Sequence, residues 1–158
     1  MGWIKSGNRT LTAAEFDDRA RRAASVFQGM GLGGGDGVAF YLRNDIAYFE
    51  GVFGAGMLGI YPVPVNWHYT PDEANYLLTD SGVKLLVIHA DLLEPVRSVI
   101  PPGLPVVIVP TPPEVRAAYC LPDEPPPAGY PRWGDLVAAA APWAFYFFFS
   151  ASSLIYTS

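Results

Sequence analysis

Short apolar runs centred near residues 40, 63, 86, 107 and 155 constrain this chain most, because the stretches between the first four carry helical spacing. Strands that alternate with helices read as βαβ units, and such units in series give an α/β fold with a mainly parallel sheet. Val38 to Leu42 is apolar without interruption, as suits a strand covered on both faces. Lys84 to Ile88 and Pro105 to Val109 read as further strands. Tyr61-Pro62-Val63-Pro64-Val65 is extended as well, but its prolines cannot donate to a ladder, which places it on an edge or in an irregular segment.

The helices announce their ends. In Leu11 to Met30, Thr12 and Glu15 have the spacing of a capping box, in which hydroxyl and carboxylate satisfy free N–H groups of the first turn. Phe16, Ala20, Ala23, Phe27 and Met30 then form an apolar stripe, with Asp17, Asp18, Arg21 and Arg22 on the wet side. Gly31 and Gly33-Gly34-Gly35 end the helix; they precede a strand instead of joining a strand to a helix, so they read as a flexible turn and not a phosphate loop. Ile46 to Met57, with Asn44 or Asp45 as cap, keeps Gly51, Gly54 and Gly56. Each glycine costs about 1 kcal/mol against alanine, so close backbone packing on a neighbour such as the sheet is expected. Thr70-Pro71-Asp72-Glu73 opens a helix with Ala74, Leu77 and Leu78 as its buried stripe and Ser81-Gly82 as its end. Asp91 is expected to cap a short helix through Val99, with Pro95 tolerated in about its first turn. Pro110 to Pro131 reads as an extended connector, and Trp133 to Ala141 as one more short helix stopped by Pro142.

The charge balance narrows the partners. With 10 Lys and Arg against 15 Asp and Glu, the chain lacks the basic face that nucleic-acid phosphates require. Cys120 is the only cysteine and cannot form an internal disulfide, which fits a reducing compartment. Met1 to Ser6 has no apolar core of a secretory signal, and the match of Gly2 and Ser6 to a myristoylation pattern is short enough to arise by chance. A cytoplasmic location is expected. Between Asp135 and Ser158 no residue is charged, a length that can cross a bilayer. Pro142, the serines at 150, 152 and 153, and the lack of flanking Lys or Arg except Arg132 argue against a span, with an interfacial aromatic patch as the alternative form of membrane contact.

Chemistry is sparse. Asn66-Trp67-His68-Tyr69 is a polar and aromatic cluster between elements, but His68 has no second ligand at metal spacing and reads as structural. His89, just past a strand, suits a solvated loop better than a cleft. Ser153-Leu154-Ile155-Tyr156-Thr157-Ser158 is the strongest signal, an apolar strand followed by hydroxyl residues, as at the entry to a phosphate-holding loop. No metal ligand is singled out.

Taken in order, the motifs resemble the N-terminal part of an AMP-forming acyl-CoA synthetase of the adenylate-forming superfamily. Leu11-Thr12-Ala13-Ala14-Glu15-Phe16 resembles that family's opening Leu-Thr-x-x-Glu-Leu. Gly56 to Asn66 resembles its glycine-rich helix end and proline-containing segment, and Leu154-Ile155-Tyr156-Thr157-Ser158 its strand before the phosphate loop. The resemblance implies ATP, Mg2+ and coenzyme A for the complete parent enzyme and a carboxylic acid, a fatty acid by preference, as substrate. Thr157 and Ser158 would start the ATP phosphate loop; the adenine, magnesium and ribose contacts and the catalytic lysine would lie beyond Ser158. Residues 1–158 are then an incomplete AMP-binding domain: a βα scaffold at 1–109, a proline-rich connector at 110–132, and at 133–158 a short helix, aromatic run and strand. By itself the chain is expected to be inactive. Trp143-Ala144-Phe145-Tyr146-Phe147-Phe148-Phe149 departs from the polar lead-in of relatives and leaves open a non-catalytic remnant or interaction protein; a different adenylating enzyme such as an amino-acid-activating domain also stays open, because its specificity positions would lie downstream.

Overall fold

The computed structural model describes residues 3–144. Its first element is a hairpin of β1 (Trp3–Ser6) and β2 (Arg9–Thr12), which the sequence reading did not contain. Helix α1 (Ala13–Gly29) follows directly, with Thr12 as its cap and the capping box to Glu15 formed in both directions. Ala20, Ala23 and Phe27 are buried as the stripe requires, whereas Met30 falls at the C-cap and is exposed. The turn from Gly31 to Asp36 is held by Asp36, whose carboxylate accepts from Gly33 N–H and pairs with Lys84 at 2.8 Å.

Strands β3 (Gly37–Tyr41), β4 (Tyr61–Pro64), β5 (Leu85–His89) and β6 (Val106–Val109) form one parallel sheet in the order β4-β3-β5-β6. Period-two alternation splits their side chains between two cores. Val38, Phe40, Leu85, Val87, Val107 and Val109 pack with Ala23, Phe27 and Trp133 on one face. Ala39, Tyr41, Leu86, Ile88 and Ile108 pack with Ala74, Leu78 and Leu93 on the other. Helices α1, α2 (Ile46–Met57) and α6 (Trp133–Ala139) thus cover the first face, and α3 (Pro71–Asp80) and α4 (Ala90–Val96) the second. The proline-bearing β4 lies on the edge, as expected.

Two of the three α2 glycines have a packing reason. The face of Gly51 meets the Phe40 ring of the sheet, and a Cβ at Gly54 would come within 2.8 Å of Ala20 O, Ala23 Cβ and Ala24 N of α1. Gly56 faces open space. Glu50, buried in the same helix, accepts from Arg19 of α1 and from Trp133 Nε1 at 3.0 Å, fastening α6 to the helix pair.

Two expectations shift. Asp91 does not cap α4; His89 holds the N-cap position, so Pro95 sits inside the helix beyond its first turn, and the helix passes into a 3-10 turn at Arg97–Val99. The proline-rich segment contains a short helix, α5 (Pro113–Ala118), with Pro112 at its N-cap and Pro113 at its first helical position. The strand at 154–158, most of the aromatic run 143–149 and the Gly2 pattern lie outside the described residues. Among the described residues no helix is long and apolar enough to cross a membrane.

Candidate functional site

Numbered from β3, the strands of the sheet run 2-1-3-4, so the chain reverses its direction of sheet growth between β3 and β5. In open α/β sheets the crevice beyond the carboxyl ends of the strands at such a point is where ligands bind. Here Arg43 and Asp45 follow β3, His89 ends β5, Asp91 opens α4 and Thr111 follows β6, all buried or nearly so.

The expectation of a solvated His89 is overturned: the ring is fully buried. Its Nδ1 accepts the backbone N–H of Arg43 at 2.9 Å, and Nε2 lies 2.9 Å from Asp45 Oδ2. Because Nδ1 is the acceptor, Nε2 carries the proton and donates to the carboxylate. The pair has the look of a catalytic dyad, yet both nitrogens are in use and none remains to take a proton from a substrate. Asp45 is the N-cap residue of α2, but its side chain leaves the helix uncapped and binds His89 and Arg9 instead. Burial pushes the Asp45 carboxyl up, while the hydrogen bonds from His89 and Arg9 and the charge of Arg9 outweigh it and hold the carboxyl below the usual range.

From Asp45 the network runs outward. Arg9 Nη2 donates to Asp45 Oδ1 at 2.5 Å and Arg9 Nε to Glu114 Oε1 of α5 at 2.6 Å, where Ser6 Oγ also donates. On the other side Arg43 gives Nε and Nη2 to Asp91 Oδ2 at 2.9 Å, and Thr111 Oγ1 donates to Asp91 Oδ1 at 2.7 Å. The Arg43 guanidinium packs on both Trp67 and Tyr119, 4.4 and 4.2 Å from their ring centroids, the two rings meeting edge to face at 5.2 Å, and its Nη1 is buried without a partner among the described residues. This is where the Asn66–Tyr69 cluster acts: Asn66 Oδ1 accepts from His68 N–H, the His68 ring stacks on Trp67, and Trp67 covers Arg43. His68 itself stays exposed.

Beside this network a cavity of about 410 Å³ opens between α4 and the prolines at 125–127. Its arginines are already matched, Arg97 with Glu94 and Arg116 with Asp123. Apart from the buried Nη1 of Arg43, the polar groups of the carboxyl edge hold one another, and the edge is built as a joint. The sequence reading missed Arg9, Asp45 as a buried partner, Thr111 and Glu114; Asp45 read as an ordinary helix cap, and no residue beside it pointed to its distant partners. Thr157 and Ser158 lie outside the described residues.

The architecture is that of adenylate-forming ligases. A benzoate CoA ligase from Burkholderia xenovorans LB400 superposes with a TM-score of 0.73 at 23% identity, over 91% of this chain and 26% of that one. The N-terminal domain of FACL13 from Mycobacterium tuberculosis gives 0.64 at 23% identity, over 89% and 32%. At that identity the likeness speaks for the fold. Membership comes from the sequence: the model of the AMP-binding enzyme family matches residues 3–147, and the chain belongs to that family. A fatty acid–[acyl-carrier-protein] ligase of Streptomyces coeruleorubidus is 37% identical over 101 residues, 64% of this chain and 19% of that protein. The 4-coumarate–CoA ligase 3 of Oryza sativa subsp. japonica is 36% identical over 101 residues, 63% and 18%. The chain thus spans about a fifth of the length of these curated relatives.

Proposed function

We propose that this chain is the N-terminal part of an ATP-dependent acyl-CoA ligase acting on fatty acids through an acyl-adenylate. The observation that carries the reading is the family match over residues 3–147, supported by the sequence that follows it, an apolar run and a hydroxyl pair at Leu154 to Ser158. In the reaction a carboxylate oxygen attacks the α-phosphorus of ATP, the bond to the β-phosphate oxygen breaks, and pyrophosphate leaves. The thiolate of coenzyme A then attacks the acyl carbon and AMP departs. Negative charge builds on the phosphate oxygens in the first step, which donors fixed in advance and Mg2+ offset. Thr157 and Ser158 supply the first of those donors through their hydroxyls and backbone N–H groups.

The residues 3–144 are the frame for this chemistry and not its reagents, since the charged groups of the carboxyl edge are bound to each other. Residues 1–158 alone are accordingly without turnover. A cytoplasmic site of action is consistent with the need for ATP and coenzyme A. A fatty acid is preferred to an aromatic acid on the first of the relatives above, although the rice relative carries the name of an aromatic-acid ligase at nearly the same identity. The test is ATP–pyrophosphate exchange by the protein read through beyond Ser158, offered palmitate, octanoate, 4-coumarate and a set of amino acids, with thioester formation followed by mass spectrometry. Exchange with palmitate or octanoate and a coenzyme A thioester is expected. Exchange with 4-coumarate alone moves the substrate class, amino-acid exchange moves the protein to another branch of adenylating enzymes, and no exchange overturns catalysis.

A further inference from the structure

The hairpin β1–β2 stands apart from the rest of the fold. Among the described residues its strands pair only with each other, no residue in either strand is buried, and neither core includes any of them. An isolated two-stranded hairpin is marginal in water and needs an anchor. Its polar anchors sit at the turn end: Arg9 on Asp45 and Glu114, and Ser6 on Glu114. Gly7, with φ +55°, lets the turn close onto the Glu114 side chain, which a Cβ there would meet at 2.5 Å. Arg9 is 44% exposed at the side chain while Asp45 is 1% exposed, so the guanidinium bridges solvent and the buried Asp45–His89 pair.

We propose that residues 3–12 form a strap which Arg9 latches over Asp45 and His89 at the carboxyl edge, and that the strap opens as a unit while the parallel sheet stays folded. The apolar contacts that set the global stability lie elsewhere, in the two cores, so releasing the strap sacrifices its own ladder, the latch, its contacts with α1 and α2 and the Thr12 cap of α1, and leaves both cores intact. Opening brings water to the one buried carboxylate of the switch point and to the Nε2–H of His89.

Hydrogen exchange by NMR on the full chain tests this. The amides of residues 3–12 are expected to exchange at least ~100-fold faster than those of Leu86 and Val87, as a sub-global opening would produce. The His89 Nε2–H is expected to exchange with the strap. Arg9→Met should speed strap exchange by roughly a further tenfold, the usual weight of a charge-assisted hydrogen bond; Glu114→Gln, which keeps Arg9 on Asp45, should speed it less. Strap amides that exchange only with the sheet overturn the proposal, as does a His89 proton that follows the sheet. Arg9→Met without effect on residues 3–12 overturns the latch.

Discussion

Asp45 shows how one residue can abandon its local role for a distant one. It stands where a helix cap should act, yet its oxygens go to Arg9 and His89, and the carboxyl titrates below its usual value. A group whose folded value is depressed contributes stability that is complete above its unfolded value, about pH 4, and is lost as pH falls through the folded one. Between pH 5 and pH 3 the urea midpoint of the wild type should therefore fall more than that of Asp45→Asn, which has no proton to gain. Glu50 is the matching case in the other core. Glu50→Ala leaves Arg19 and the buried Trp133 Nε1 without their acceptor and is expected to cost about 2–4 kcal/mol, read from urea unfolding followed by tryptophan fluorescence.

Helices α1 and α2 touch through a glycine, and that contact makes opposite forecasts for neighbouring positions. Gly54→Ala drives a methyl into the backbone of α1 and should destabilise by about 1–3 kcal/mol, the range for overpacking. Gly56→Ala meets nothing and should stabilise by up to about 1 kcal/mol through helix propensity alone. Thermal melts of the two variants side by side check the pair. Such elements were largely legible in the sequence because their signals are local. The Thr12 and Thr70 capping boxes, the apolar run at Val38 and the prolines of β4 each act within a few residues. The carboxyl-edge joint was not legible, since Arg9 finds Asp45 across 36 positions, His89 finds it across 44, and Arg9 finds Glu114 across 105. His89 read as a loop residue because nothing beside it in the sequence told of Asp45 or of the Arg43 amide. The hairpin was missed because neither of its four-residue strands has a buried face to write a pattern.

The two cores share the same three backbones, since β3, β5 and β6 send alternate side chains to each. Damage on either face should then lower one common transition. Phe27→Ala on the α1 face and Leu93→Ala on the α4 face are each expected to cost about 3 kcal/mol, with far-UV circular dichroism and Trp133 fluorescence moving together. Two separate transitions would show the faces to be independent. The edge formed by β4 has a consequence for assembly. The N–H groups of Tyr61 and Val65 point inward to Asp36 and Phe40 carbonyls, so the outward positions fall on Pro62 and Pro64, which have no hydrogen to give. A strand arriving there would find acceptors and no donors, a docking rail with half its teeth removed. Growth of the sheet, whether by further strands of a longer polypeptide or by an unwanted neighbour, is steered to the β6 margin, where the Ile108 amide is already claimed by the Pro131 carbonyl. The molecule has in effect a closed side and a guarded one.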